Sequence, residues 1–251
     1  MNAPIQKPVV TLADYKAAEE RLRQTQAEAT AAFNKAQEAG DLAKGKELIA
    51  QQREALDAFK AFRLGIPAEV LLSINADRIL ESFSVDTENF VNLVIPPDIS
   101  DKDAMLVLYQ RFRELFPYYV PTELNEDFLD DILNAGDGSG RRARGPRVIK
   151  LICVVPGTIN RKRPQQAKVL QQKGLKFSHP IEQALAAAAF ACKNEGANLF
   201  KGLNVRGSVP GFALDGLVRS YIGGYRKTYF RDSNRDNVAA SGSPSPELKR
   251  L

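Results

Sequence analysis

The chain has 251 residues, 44% hydrophobic and 26% charged, with two cysteines and one histidine. That composition can bury a core and argues against both wholesale disorder and a disulfide framework. No apolar run approaches the roughly 18 to 20 residues of a membrane span, and the first ten residues lack the apolar stretch of a secretion signal, so a cytoplasmic protein with no membrane partner is expected.

The formal net charge of +5 hides a segregation. Residues 1 to 65 carry 10 Lys/Arg and 9 Asp/Glu, residues 66 to 135 carry 4 and 14, and residues 136 to 251 carry 21 and 7. An acidic middle followed by a basic end creates a field that can attract an anionic partner, or the chain's own acidic segment.

From about Thr11 to Phe62 the sequence is rich in Ala, Gln, Glu and Lys. Tyr15, Ala18, Leu22, Thr25, Ala29, Ala32, Phe33 and Ala36 recur at three- and four-residue spacing, one stripe of an amphipathic helix. Gly40 and Asp41 offer a C-terminal glycine followed by an N-cap, and Leu48, Ile49, Ala55, Leu56, Phe59 and Phe62 make a second stripe. The pattern predicts an antiparallel helical hairpin whose alanine seam buries little area, so that it leans on another domain or another copy.

Pro67 suits the first turn of a helix, Phe90 to Ile95 reads as a strand ended by Pro96 and Pro97, and Ser100 caps a helix that runs to Phe116. That helix keeps Met105, Leu108, Phe112 and Leu115 on one side. A short acidic helix is expected from about Thr122 to Asn134, with Glu126, Asp127, Asp130 and Asp131 outward. Asn134 to Arg147, with four glycines and no large apolar residue, reads as a linker and domain boundary.

Beyond it, Val148 to Val155 predicts a buried strand, Pro164 opens a helix that Gly174 ends, and Pro180 opens another with Ile181, Ala184, Leu185, Ala188 and Cys192 on one face. Cys153 and Cys192 lie in apolar surroundings and read as buried free thiols. Leu217 to Ile222 and Tyr225 to Phe230, joined by Gly223 and Gly224, predict a β-hairpin with Ile222 opposite Tyr225 and Tyr221 opposite Arg226. One face then holds Val218, Ile222, Tyr225 and Tyr229, and the other holds Arg219, Tyr221 and Arg226, guanidinium groups beside an aromatic ring. Such a surface contacts phosphates and stacks on unpaired bases, although a solvated hairpin face has the same composition.

Two more basic clusters point the same way: Arg141, Arg142, Arg144 and Arg147 in the linker, and Arg161, Lys162 and Arg163 after the first strand's turn. Signals for other chemistry are thin. His179, between Ser178 and Pro180, suits a helix start better than a triad. Gly136 to Gly140 lacks the Gly-Lys-Ser/Thr ending of a phosphate loop, and Asp232 to Asn237 opens like a calcium loop without its sixth-position glycine or twelfth-position glutamate.

The expected fold is α+β. A mostly helical N-terminal half comprises a helical hairpin or a long loose arm (1–65) and an acidic, mainly helical subdomain (66–135). A Gly/Arg linker (136–147), a small basic α+β domain with a β-hairpin (148–238) and a disordered tail (239–251) follow. The expected function is non-enzymatic nucleic-acid binding through Arg141, Arg142, Arg144, Arg147, Arg161, Lys162, Arg163, Arg219, Tyr221, Arg226 and Lys227, with no cofactor and no metal. The alternative is an assembly or scaffold protein, a homo-oligomer in which acidic middle meets basic end, or one that takes an acidic protein surface as partner.

Overall fold

The computed structural model describes residues 10–86, 90–117, 147–197, 199–200, 203–208, 213–214, 225–226 and 238–244. The protein is α+β, and the chain divides into two compact units, Met1–Asp77 and Arg78–Leu251.

In the first unit, Thr11 starts α1 (Leu12–Glu38) with a reciprocal capping box, its hydroxyl accepting from Asp14 N while the Asp14 carboxylate accepts from Thr11 N. Gly40, at φ +72°, turns the chain, and Asp41 caps α2 (Leu42–Leu64) by accepting from Lys44 N. The two helices pack as the expected antiparallel hairpin, with Ala29, Ala36 and Leu48 buried along the seam beside Ala32 and Phe33. At the open end Tyr15 is fully buried against Phe59 and Phe62, at ring distances of 5.7 and 6.2 Å. Ile66, Val70, Leu71 and Ile74 complete that cluster, so the start of α3 (Ala68–Ser82) supplies the support the thin seam needs. Ile49 and Leu56, expected inside, are instead 41% and 36% exposed. They lie seven residues apart with Leu42, on a line beside the seam, while Leu48, Phe59 and Phe62 take the inward positions.

The second unit is built on a five-stranded sheet, order β1-β2-β3-β9-β4, from β1 (Ser84–Val85), β2 (Phe90–Ile95), β3 (Arg147–Ile152), β4 (Leu175–Phe177) and β9 (Gly242–Pro244). β2 and β3 pair antiparallel over six residues, Phe90 opposite Ile152 through Ile95 opposite Arg147. The glycine-rich segment is therefore not a boundary between packed bodies: a strand of the acidic part and a strand of the basic part share one sheet, and Arg147 belongs to the strand.

The inner face of this sheet carries Val91, Leu93, Ile95, Ile149 and Leu151, all fully buried. Against it packs α6 (Pro180–Lys193), and α4 (Asp101–Leu115) packs on α6. Ala184, Ala188 and Ala191 are buried on α6, and alanines let a helix approach a sheet closely. Ser100 caps α4 by accepting from Asp103 N, and His179 caps α6, its Nδ1 accepting from Ile181 N at 3.2 Å. Pro164 stands at the start of α5 (Arg163–Gln172), and Gly174, at φ +66°, follows its end.

Strand β3 is not buried on both faces as its composition suggested. Val148 is 64% exposed and Lys150 is exposed, because the residues alternate and only Ile149 and Leu151 face the helices. The strand also ends at Ile152, before Val155.

The small residues from Ala239 are not a disordered tail throughout. β8 (Val238–Ala240) lies in a second sheet, order β7-β6-β5-β8, with β5 (Asn204–Arg206), β6 (Ala213–Leu214) and β7 (Tyr225–Arg226); the chain then crosses at Ser241 into β9 of the first. The crossing needs small side chains: a Cβ on Gly242 would stand 3.0 Å from Leu170 Cδ2 and 3.2 Å from Val155 Cγ2. An Ala/Ser/Gly/Pro run that looks like a loop is here a tightly packed strand exchange. β7 pairs with β6, Leu214 opposite Tyr225 and Ala213 opposite Arg226. The expected partner run, residues 217–222, lies outside the described residues, as do the acidic helix expected at 122–134, the glycine motif at 136–140, the calcium-like loop at 232–237 and the chain after 244.

Candidate functional site

Cross-strand neighbours share a face, so the pairing identifies what the outer side of the first sheet presents. One row runs Phe90, Ile152, Gly242, Phe177 across β2, β3, β9 and β4; the next holds Asn92 and Lys150, and the one beyond it Val94 and Val148. Helix α5 covers part of this side. Its Leu170 joins Val155, Leu175 and Ala240 in a buried cluster, and Phe90, Ile152, Val169 and Phe177 pack around it half-buried. The rows holding Val148 and Lys150 stay open to water.

Each aromatic ring of the first row carries a cation. Lys150 Nζ sits 5.0 Å from the centre of Phe90, and the Arg163 guanidinium lies 4.5 Å from the centre of Phe177. Arg163 is also held by a hydrogen bond, Nη2 donating to the Ser208 carbonyl at 2.9 Å, so the guanidinium has two fixed partners. Around these pairs Arg161, Lys168 and Lys173 are exposed and Lys162 is half-exposed, whereas Lys176, one residue before Phe177 in β4, is exposed on the opposite face of the sheet. From residue 138 to residue 181 the sequence contains eleven Lys/Arg and no Asp or Glu. Three of those cations, Arg161 to Arg163, stand at the positive end of the α5 dipole with no acidic residue in its first turn. That placement is unfavourable by about 0.3–1 kcal/mol per charge unless an anion joins it.

A buried polar network holds α5 in place. Gln166 Nε2 donates to Thr158 O, and Thr158 Oγ1 accepts from Ala240 N. Arg206, only 4% exposed, donates to Gln166 Oε1 and to the Arg161 carbonyl, each at 3.4 Å. Gln183 Nε2 donates to Ser178 Oγ and Arg206 O, Ser178 Oγ donates to Ser241 Oγ, and Ser241 Oγ donates to Ile152 O. Gly207 fits here because a Cβ would stand 2.8 Å from the Ser178 carbonyl. The network ties α5, α6 and the strand crossing together, and with them the backbone on which Arg161, Lys162 and Arg163 sit.

The structure thus places Arg161, Lys162 and Arg163 together at one end of α5. It gives Arg147 a different task. Its guanidinium pairs with Asp101 and with Glu182, the latter at 3.5 Å, bridging the first turns of α4 and α6. Those carboxylates hold it as an internal tie between the two helix starts. Arg226 takes a strand position in β7, opposite Ala213. Arg141, Arg142, Arg144, Arg219, Tyr221 and Lys227 lie outside the described residues.

Sequence reasoning passed over Lys150, Lys168, Lys173, Phe90 and Phe177. The absence of carboxylates from 138 to 181 was the signal for the lysines, and alternation in Val148–Lys150 was the signal for the open sheet face. Nothing local marks Phe90 and Phe177 as row-mates, since they are joined only through β3 and β9.

Both thiols are free, Cys192 buried and Cys153 half-buried, and burial pushes each up to about 12. Among the described residues no three His, Cys, Asp or Glu side chains gather as a metal site, and no helix is long and apolar enough to cross a membrane. No protein-family model, no curated protein and no solved structure matches this chain.

Proposed function

We propose that this protein binds nucleic acid, with the outer side of the first sheet and the exposed face of α5 as the contact surface. The observation that carries the reading is the set of cations Lys150, Arg161, Lys162, Arg163, Lys168 and Lys173, drawn from a stretch without a single carboxylate. Solvated surfaces ordinarily mix both signs of charge, and a one-sign surface is favourable when a polyanion covers it and releases its counterions. Glutamines 165, 171 and 172, exposed on α5, add neutral hydrogen-bonding groups suited to phosphate and sugar oxygens. The arginines of residues 141–144 extend the same positive stretch in sequence.

Fluorescence anisotropy of the full chain with labelled oligonucleotides, titrated across salt, tests this. Binding is expected to weaken steeply, with a log–log slope of about −4 if six phosphates of a single strand are neutralised. The K168E/K173E variant, altered only at exposed positions, should lose affinity and flatten that slope. Absent or salt-insensitive binding would refute the reading.

Self-association is favoured by a separate observation, the exposed line of Leu42, Ile49 and Leu56 on α2. Contact between copies along that line would be apolar and insensitive to salt, which light scattering at low and high salt distinguishes from a charge-driven assembly.

A further inference from the structure

Resting on that reading, we infer that the preferred ligand is single-stranded, its unpaired bases stacking at two cation–aromatic pairs, Arg163 on Phe177 and Lys150 on Phe90. In a duplex the faces of the bases are covered by their neighbours and only edges and phosphates are offered, whereas an unpaired base presents its whole π-face. A surface that only neutralised phosphates would need lysines alone. Here two of the cations are set on rings, and one is a planar guanidinium held by a ring beneath it and by a backbone carbonyl.

The two pairs work differently. Arg163 is pinned by Phe177 and Ser208 O, so a base stacks on the guanidinium plane without reorganising it. Lys150 is an exposed, flexible ammonium over Phe90; a base that takes the ring releases the ammonium to an adjacent phosphate. Phe90 and Phe177 lie in one row, three strand spacings apart, which is about 14 Å along the sheet. A strand reaching both pairs spans about four nucleotides or more at the ~3.4 Å rise of a stacked strand. Lys168, on the exposed face of α5, stands ready for the phosphates of that span.

The test uses the full chain, a labelled oligothymidylate of roughly 16 nucleotides, and the same strand annealed to its oligodeoxyadenylate complement. The single strand should bind about ten-fold more tightly at equal salt. Arg163→Lys keeps the charge and removes the plane; Phe90→Leu keeps apolar volume and removes the ring. Each should weaken single-strand binding about ten-fold, leave duplex binding within two-fold and leave the salt slope unchanged. If Arg163→Lys fails to fold, Phe90→Leu carries the test alone. Equal or tighter duplex binding, or single-strand affinity unmoved by Phe90→Leu, overturns this inference and leaves the nucleic-acid reading standing. No binding of either oligonucleotide overturns both.

Discussion

In the α1–α2 hairpin the seam is Ala29, Ala36 and Leu48 with half-buried Ala32 and Phe33, and its one large buried aromatic, Tyr15, sits at the open end. In the sheet-centred unit the core is Leu93, Ile95, Met105, Leu108, Phe112, Ile149 and Leu151, all fully buried and contributed by β2 and α4, which follow each other closely, and by the distant strand β3. The hairpin closes through the three residues between α1 and α2, so it needs little buried area to offset loop-closure entropy. The sheet unit brings residue 90 to residue 152 and residue 152 to residue 242, and it holds those distant pairings with large apolar side chains and buried polar ties. Small residues therefore mean different things in the two places: in the hairpin they set helix spacing, and in the sheet unit Gly207 and Gly242 admit close neighbours.

Substitutions can break or sharpen this contrast. The largest effect is expected for Phe112→Ala in the sheet unit, a loss of about 3–5 kcal/mol in denaturant unfolding, because a fully buried ring leaves a cavity. Asp98→Ala should follow at roughly 3 kcal/mol. Arg78 is buried and makes a two-pronged pair with Asp98, both bonds at 3.0 Å, and loses that counter-charge. Gly207→Ala should cost about 1–3 kcal/mol, since its Cβ meets backbone rather than a side chain that can swing away. In the hairpin, Ala29→Gly should cost only about 1 kcal/mol, the propensity difference in a helix whose seam is already thin. A hairpin substitution as damaging as Phe112→Ala would erase the distinction.

The smallest effect at neutral pH, and one confined to the sheet unit, comes from the thiols. Cys153 and Cys192 are raised by burial from an ordinary 9.0 to about 12, so the fold favours the neutral form. Their contribution is fully present below pH 9 and is lost as pH rises from about 9 towards 12, the unfolded chain giving up those protons first. Urea unfolding at pH 8 and at about pH 10.5 should show that fall, and Cys192→Ala should make it shallower. A slope unchanged in the variant would contradict this assignment for Cys192.

Local chemistry was readable from the amino acids: Gly40 and Asp41 at the hairpin turn, Ser100 before α4, Pro164 and Gly174 bracketing α5, and His179 before Pro180 at the start of α6 all stand where expected. Each depends on a few neighbouring residues whose backbone preferences and hydrogen bonds act within one turn. The candidate site was readable only as a surplus of cations. Arg161, Lys162 and Arg163 do gather at α5, but Arg147, of the same composition and a similar place in sequence, is taken up by Asp101 and Glu182. What separates them is which acidic side chains the fold brings near, and those lie 46 and 35 residues away.

By itself, the chain's order of residues determined the helices, their ends, the absence of carboxylates from 138 to 181 and the α+β class, because propensity, capping and charge are properties of short stretches. Tertiary structure alone decided that the acidic and basic parts share a sheet, which face of β3 meets water, that Ser241 carries the chain from one sheet to the other, and that Phe90 and Phe177 fall in one row beneath two cations. Strand partners are chosen by burial and hydrogen-bond closure among segments far apart in the chain, and no local pattern encodes that choice.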